Sequence, residues 1–269
     1  MKPHKRSRLR EVFEELKKRG GKALITFITA GDPTMDSTRE LVLEFEKRGA
    51  DIIELGIPFS DPMADGPTIQ ASSERALKNS VTLKDVLALV REIREKSAIP
   101  IVLFGYYNPI FVYGIERFVR DAKGAGAEGV LVVDLPPEES GALERELSRQ
   151  GLSLIYLLTP TSGADRIRLV CGRASGFIYY VSVAGVTGAR ERLATRVSSA
   201  VKRVKGFTDL PVGVGFGISA PGQVNAVSRY ADGVVVGSAI VNIIAENIHS
   251  PMLVKKAGRF VERLKRAMA

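Results

Sequence analysis

Residues 51–68 read DIIELGIPFSDPMADGPT and join a short apolar run to a loop rich in Pro and Gly. The run, DIIELGIP, is apolar at nearly every position, which is typical of a strand covered on both faces in a parallel sheet. Seven further runs of this kind occur, and the intervals between them are long enough for helical crossovers. The eight runs begin at Ala23, Asp51, Pro100, Gly129, Ser153, Gly176, Pro211 and Gly233.

The intervals between the runs carry helix signals. Ser37 with Glu40, and Thr82 with Asp85, have the spacing of capping boxes, and each pair precedes apolar residues at helical spacing. Eight alternating strands and helices predict an α/β fold, a single (β/α)8 TIM-barrel domain over residues 1–269. We expect an extra helix before the first strand and a closing helix after the last. An open doubly wound sheet is the alternative, but it would usually carry G-x-G-x-x-G after its first strand, and ALITFITAGDPTMD lacks it.

Composition narrows the class of protein. The 269 residues are 45% hydrophobic and 26% charged, as in ordinary globular proteins. The longest apolar runs are too short to span a membrane, and the N-terminus is charged. We therefore expect a cytoplasmic protein. One cysteine, Cys171, and two histidines near the ends leave no disulfide framework and no metal-site spacing. The net charge of +9 is spread over helix-like segments that also contain acids, which favours solvated helix faces over nucleic-acid binding.

Glycines follow the seventh and eighth runs, in GVGFGIS at residues 213–219 and GSAI at residues 237–240. The loops after strands seven and eight of such barrels frequently bind phosphate, and a short helix beginning near Ser238 would add free N–H groups. Gly188, after the sixth run, can close the same pocket. Tight turns without a ligand are the alternative role for these glycines. The predicted phosphate-binding residues include Gly188, Gly217, Gly237 and Ser238.

The acid Glu54 interrupts an otherwise apolar run, near its C-terminal end. Alternation along the strand allows its side chain to point into the barrel mouth. A buried salt bridge is one explanation, yet the eight runs contain no Lys or Arg. An apolar pocket raises the pKa of a carboxyl toward neutrality, which favours a role in proton transfer. Asp65 lies on the loop that follows, between Pro62 and Pro67.

The segment ELGIPFSDPMADGPTIQ resembles the signature of the tryptophan synthase α subunit family. TFITAGDP, VVDLPPEES, YYVSVAGVTGAR and VGFGIS are similar to that family's other landmarks, in the same order, and the resemblance runs from about Arg8 to the C-terminal helix. It implies retro-aldol cleavage of indole-3-glycerol phosphate to indole and glyceraldehyde 3-phosphate, without a metal or a cofactor in this chain. The alternatives are a non-catalytic subunit that binds and activates a partner, and another phosphosugar-binding barrel enzyme.

The resemblance also implies roles for particular residues. Glu54 matches the family's general acid and base, Asp65 the carboxylate that accepts a hydrogen bond from the indole N1–H, and Tyr179 a tyrosine near the reacting end of the substrate. Thr187 lies on a loop that closes over the substrate. The expected walls of the indole pocket are Phe27, Leu103, Tyr106, Val133, Leu157, Phe216 and Ile218.

A partner is implied as well, a β subunit that contains pyridoxal phosphate and forms an α2β2 complex with this chain. Indole passes to it through a tunnel. The residues expected at the interface lie on the loops after strands two and three, and packing of the aromatic ones over the barrel rim is the alternative. They are Asp61, Asn108, Pro109 and Phe111. Two positions depart from the family pattern: Val183, where many relatives carry arginine, and Phe104, where an aliphatic residue is expected.

Overall fold

Eight parallel strands close into a barrel in the structure, a computed structural model that describes residues 7–182, 190–215 and 217–268, with residues 190–195 as backbone only. The strands pair in chain order, and the first pairs with the last. Each begins no more than two residues after its predicted start, so the eight runs and the barrel are confirmed. The strands are β1 Ala23–Thr29, β2 Ile52–Gly56, β3 Ile101–Gly105, β4 Gly129–Val132, β5 Ser153–Leu158, β6 Ile178–Val181, β7 Val212–Gly215 and β8 Gly233–Val236.

Helices connect the strands and surround the barrel. Among the described residues they are α1 Arg8–Lys18, α2 Met35–Lys47, α3 Pro67–Lys78, α4 Leu83–Arg94, α5 Tyr107–Tyr113, α6 Ile115–Ala125, α7 Gly141–Gln150, α8 Ala164–Arg173, α9 Arg190–Lys205, α10 Pro221–Ser228, α11 Ser238–Ala245 and α12 Leu253–Arg266. The extra helix before β1 and the short helix after β8 are confirmed as α1 and α11. The expectation of a loop after β3 was wrong, because α5 occupies that stretch.

The two predicted capping boxes had different outcomes. Thr82 and Asp85 form the box at the start of α4, each side chain bonding to the other's backbone N–H. The box at Ser37 was wrong, because α2 begins earlier, at Met35. Thr34 is its N-cap and accepts a hydrogen bond from the Ser37 N–H at 3.1 Å. The Thr34 hydroxyl, three residues before Ser37, therefore caps the start of α2.

Side-chain alternation along the strands divides the core into two layers. Strand residues such as Ile25, Ile52 and Val102 fill the barrel interior, together with Leu9 and Phe13 of α1 at its N-terminal end. The alternate strand residues pack outward against the helices in a second, larger cluster. This division decides which side chains can reach the barrel mouth.

The N-terminal rim of the barrel shows a repeat, which we call the rim clamps. A polar side chain lies just before each even-numbered strand. It accepts a hydrogen bond from a backbone N–H near the start of the preceding strand. Because an unpaired buried N–H is costly, these bonds hold neighbouring strands in register. Lys265, Arg94 and Lys205 form ion pairs with the three acids among them, at 2.5–2.9 Å. The acceptor–donor pairs are Asp51–Leu24, Glu128–Ile101, Ser175–Leu154 and Asp232–Val212, at 2.7–2.9 Å.

Candidate active site

Glu54 lies near the C-terminal end of β2 and is 1% exposed. Its neighbours Ile53 and Leu55 belong to the outer layer of the core, so its own side chain faces the barrel interior, opposite Phe27 of β1. Its Oε1 receives no hydrogen bond from any described residue. Burial alone raises the pKa of Glu54 to about 8. The carboxyl is therefore protonated at neutral pH and available as a proton donor.

Tyr179 faces the same interior space from β6. Burial, and then the negative charge of Glu54, raise the pKa of its hydroxyl well above the ordinary value. The hydroxyl therefore stays protonated and remains a hydrogen-bond donor. Glu54 and Tyr179 both face the barrel interior, so the structure brings these two predicted residues to the same space.

Asp65 follows β2 in a tight turn at residues 62–65, in which its N–H donates to the Pro62 carbonyl at 3.0 Å. The Ala64 N–H in the same turn donates to the Tyr106 hydroxyl at 3.0 Å. Partial burial raises the pKa of Asp65, and hydrogen bonding from Tyr106 opposes that effect without cancelling it. Tyr106 thus contacts the turn that carries Asp65, a role that the sequence did not suggest.

Aromatic and aliphatic side chains share the barrel interior with Glu54. The rings of Phe27 and Phe104 meet edge to face with their centroids 5.1 Å apart. Val133 and Leu157 are partly buried against the same interior cluster. The expectation that Leu103 and Ile218 line this pocket was wrong, because both belong to the outer core layer. Alternation along β3 places Phe104 inside the barrel in place of Leu103.

The predicted phosphate residues lie where β7 and β8 end. Gly217 has a φ of +70°, a conformation that favours glycine. Gly237 caps α11, and a Cβ added to it would lie 3.3 Å from the Phe27 Cβ, so this helix start adjoins Phe27. The first hydrogen bond of the helix runs from the Ile240 N–H to the Gly237 carbonyl at 2.8 Å, so the N–H groups of Ser238 and Ala239 lie ahead of it and are suited to an anion. Thr187, Gly188 and Phe216, with Val183, lie outside the described residues.

Two kinds of feature are absent from the described residues. No group of three or more His, Cys, Asp and Glu side chains within these ranges could hold a metal ion. None of the helices described above is both long and apolar enough to cross a membrane.

The chain is similar to known proteins over nearly its whole length. The family profile described as "Tryptophan synthase alpha chain" matches residues 13–269. The chain belongs to that family. A tryptophan synthase alpha chain of Geotalea uraniireducens (strain Rf4) is 56% identical over 259 residues, which are 96% of this chain and 97% of that protein. One of Thermoanaerobacter sp. (strain X514) is 46% identical over 262 residues, 97% of this chain and 100% of that protein.

Solved structures of the tryptophan synthase family share the fold. The alpha subunit from Legionella pneumophila str. Paris has a TM-score of 0.91 at 40% identity and covers 98% of each chain. A chain of tryptophan synthase from M. tuberculosis, in an aminoacrylate-bound form, has a TM-score of 0.88 at 31% identity, covering 98% of this chain and 100% of that one. This chain is accordingly a lyase of tryptophan biosynthesis that acts on indole-3-glycerol phosphate. Family membership also implies a β-subunit partner, and the alpha chain has no cofactor of its own.

The residues predicted for a tryptophan synthase interface lie beyond the pocket. Asp61, Asn108 and Phe111 are exposed, and Pro109 is partly buried. Two neighbouring apolar side chains that the sequence reasoning missed are more exposed still: Met63 at 93% and Val112 at 77%. Met63 and Val112 lie close in sequence to Asp61 and Phe111, and this proximity could have identified them as candidate interface residues. Exposed apolar residues grouped in this way are typical of a protein-binding surface.

Proposed function

We propose that Glu54, Asp65 and Tyr179 carry out the cleavage of indole-3-glycerol phosphate. The observation that supports this most directly is the buried carboxyl of Glu54, which faces the same barrel interior as Tyr179 and whose Oε1 has no hydrogen-bond partner among the described residues. Glu54 donates its proton to indole C3, and positive charge develops on the ring nitrogen. The Asp65 carboxylate accepts a hydrogen bond from N1–H and stabilises that charge.

The second half of the reaction returns the proton to Glu54. Its carboxylate now takes the proton of the glycerol hydroxyl next to the breaking bond, and an aldehyde forms as the carbon–carbon bond cleaves. The bonding electron pair restores the indole ring, so glyceraldehyde 3-phosphate and indole leave with no net proton change. Tyr179, which keeps its proton, donates a hydrogen bond at the reacting end of the substrate.

Substrate binding is divided between an apolar wall and an anion site. Phe27, Phe104 and Leu157 enclose the flat indole, and their interior position supports this assignment. Gly217, Gly237 and Ser238 bind the phosphate with backbone N–H groups. Thr187, Gly188 and Phe216 keep their predicted roles in loop closure, phosphate binding and the indole wall.

Indole release from indole-3-glycerol phosphate tests the assignment of the acids. We expect Glu54→Gln and Asp65→Asn to lose at least about a hundredfold in kcat, because each removes a group that acts in the transition state. Glu74→Gln, an exposed change on α3, is the control and should retain full activity. Wild-type rates no higher than those of the Glu54 and Asp65 variants would overturn the proposal.

We further propose that the whole chain acts as one cytoplasmic domain in an α2β2 complex, with pyridoxal phosphate in the β subunit. Asp61, Asn108, Pro109 and Phe111 form part of the contact, together with Met63 and Val112. The exposure of the apolar members supports this. In sedimentation of the mixed subunits, Phe111→Ser should weaken the complex, whereas Phe207→Ser, an exposed aromatic elsewhere, should not. Equal sedimentation of mixed and separate subunits would contradict the complex.

A further inference from the structure

The turn that carries Asp65 is exposed, yet its backbone polar groups are bonded. Met63, in the middle of the turn, is 93% exposed. The Asp65 N–H closes the turn on the Pro62 carbonyl, and the Met63 N–H donates to the Asp61 carbonyl at 2.8 Å. These two bonds shape the turn but join only residues 61–65. Other contacts must fix the turn relative to the barrel.

Gln70, in the second turn of α3, supplies one of these contacts. Its side-chain Nε2 donates to the Asp65 carbonyl at 2.8 Å and reaches the Pro62 carbonyl at 3.5 Å. These carbonyls stand at the two ends of the turn, and a primary amide has two N–H donors to offer them. The Gln70 backbone N–H is itself bonded to the Gly66 carbonyl at 3.0 Å. The turn is therefore tied to the start of α3.

The helix α3 is in turn fixed to the barrel. Arg75 makes a two-pronged salt bridge, at 2.7 and 2.8 Å, with Asp32, a 1%-exposed residue in the loop after β1. Such paired hydrogen bonds fix orientation as well as distance. On the barrel side, the Tyr106 hydroxyl binds Ala64, and its ring packs against Phe59 with centroids 5.0 Å apart. The turn is thus held from α3 and from the end of β3.

From these contacts we infer that Gln70 is a positioning residue, which sets the backbone of Asp65 so that its carboxylate is in place before the substrate binds. This inference rests on the role proposed above for Asp65. The Gln70 amide contacts backbone carbonyls of the turn and acts through Asp65. Displacement of a reacting group by about 1 Å can cost roughly a hundredfold in rate, so loss of this contact should affect the chemical step.

Steady-state indole release by the full chain, alone and with the β subunit, tests the inference. Gln70→Met keeps the side-chain length but removes both N–H donors, and Glu74→Met is the matched control on the exposed face of α3. We expect Gln70→Met to lower kcat by about 10- to 100-fold while KM changes less than about threefold. Gln70→Lys restores an N–H donor of similar reach and should recover most of the lost rate. Glu74→Met should change neither constant.

The outcomes separate the inference from the proposal on which it rests. If Gln70→Met has the kcat of the control, or if the Lys and Met variants are equally slow, Gln70 is not a positioning residue. An Asp65→Asn variant as fast as wild type would instead remove the role of Asp65 itself. Low kcat values in Asp65→Asn and Gln70→Met, together with a recovered kcat in Gln70→Lys, would support both the role of Asp65 and the positioning role of Gln70.

Discussion

The hydroxyl end of Tyr179 occupies the space that a side chain at position 215 would need. A Cβ added to Gly215 of β7 would lie 2.8 Å from the Tyr179 Cζ and 2.9 Å from the Val235 Cβ, and closer still to the Tyr179 hydroxyl. Real Cβ atoms essentially never approach other atoms so closely. The glycine is therefore part of the active-site architecture, although it contributes no polar side chain.

Gly215→Ala should displace Tyr179 and strain the barrel. Overpacking of this kind costs about 1–3 kcal/mol, so we expect a lower free energy of unfolding together with a loss of at least about tenfold in kcat/KM. Gly222→Ala, in α10, is the control because nothing lies within 4 Å of the added atom. Urea unfolding and indole release measure the two effects. Equal behaviour of the two alanine variants would show that β7 adapts without moving Tyr179.

Glu54 should make stability depend on pH. Its pKa rises from the ordinary 4.5 to about 8 on folding, so between these values the folded chain keeps a proton that the unfolded chain releases. Stability therefore falls as pH rises through this interval and levels off above about 8. Glu54→Gln removes the titration, and its advantage in free energy of unfolding over wild type should grow from about pH 5 to about pH 9. A difference that does not vary with pH, in urea titrations, would contradict the raised pKa.

The rate of cleavage should show two limbs with pH. The free enzyme needs a protonated Glu54, so kcat/KM should fall as pH rises through about 8. Asp65 must be ionised, and its pKa is raised, so kcat/KM should also fall in acid, at a pH above the ordinary 3.8. Indole release across the pH range, with substrate well below KM, measures both limbs. A rate that keeps rising above about pH 9 would exclude Glu54 as the initial proton donor.

The rim clamps should contribute to stability and not to catalysis. Asp51→Ala removes the acceptor of the Leu24 N–H and the partner of Lys265, so we expect a loss of about 1–3 kcal/mol in free energy of unfolding with kcat unchanged. Asp165→Ala is the control, because that carboxylate is 97% exposed and forms a surface ion pair with Arg168. Losses of equal size in the two variants would refute the clamp at Asp51.

Much of the fold could be predicted because strand burial is visible in local sequence. The apolar runs locate all eight strands, and the inward position of Glu54 follows from alternation with Ile53 and Leu55. Alternation alone does not say which of two adjacent apolar residues faces inward. Leu103 was therefore assigned to the wrong side of β3, where it packs outward while Phe104 packs against the interior cluster.

Long-range contacts were beyond the sequence reasoning. The bond between Ala64 and Tyr106 joins residues 42 apart in the chain, and the pair Arg75 and Asp32 is separated by 43. Gln70 was missed for another reason: within the part of the chain that the structure describes, its side chain bonds to backbone carbonyls, and every residue type presents these groups. The exclusion of any side chain at Gly215 likewise depends on how β6 and β7 meet.

The rim clamps also divide the barrel into modules. Each clamp joins an odd-numbered strand to the next strand along the chain, so β1 with β2, β3 with β4, β5 with β6 and β7 with β8 form four consecutive units. A chain break between units, for example in the segment between β4 and β5, leaves every clamp within one fragment. A break between β3 and β4 separates Glu128 from Ile101. The barrel is therefore best divided, for fragment complementation or circular permutation, after its even-numbered strands.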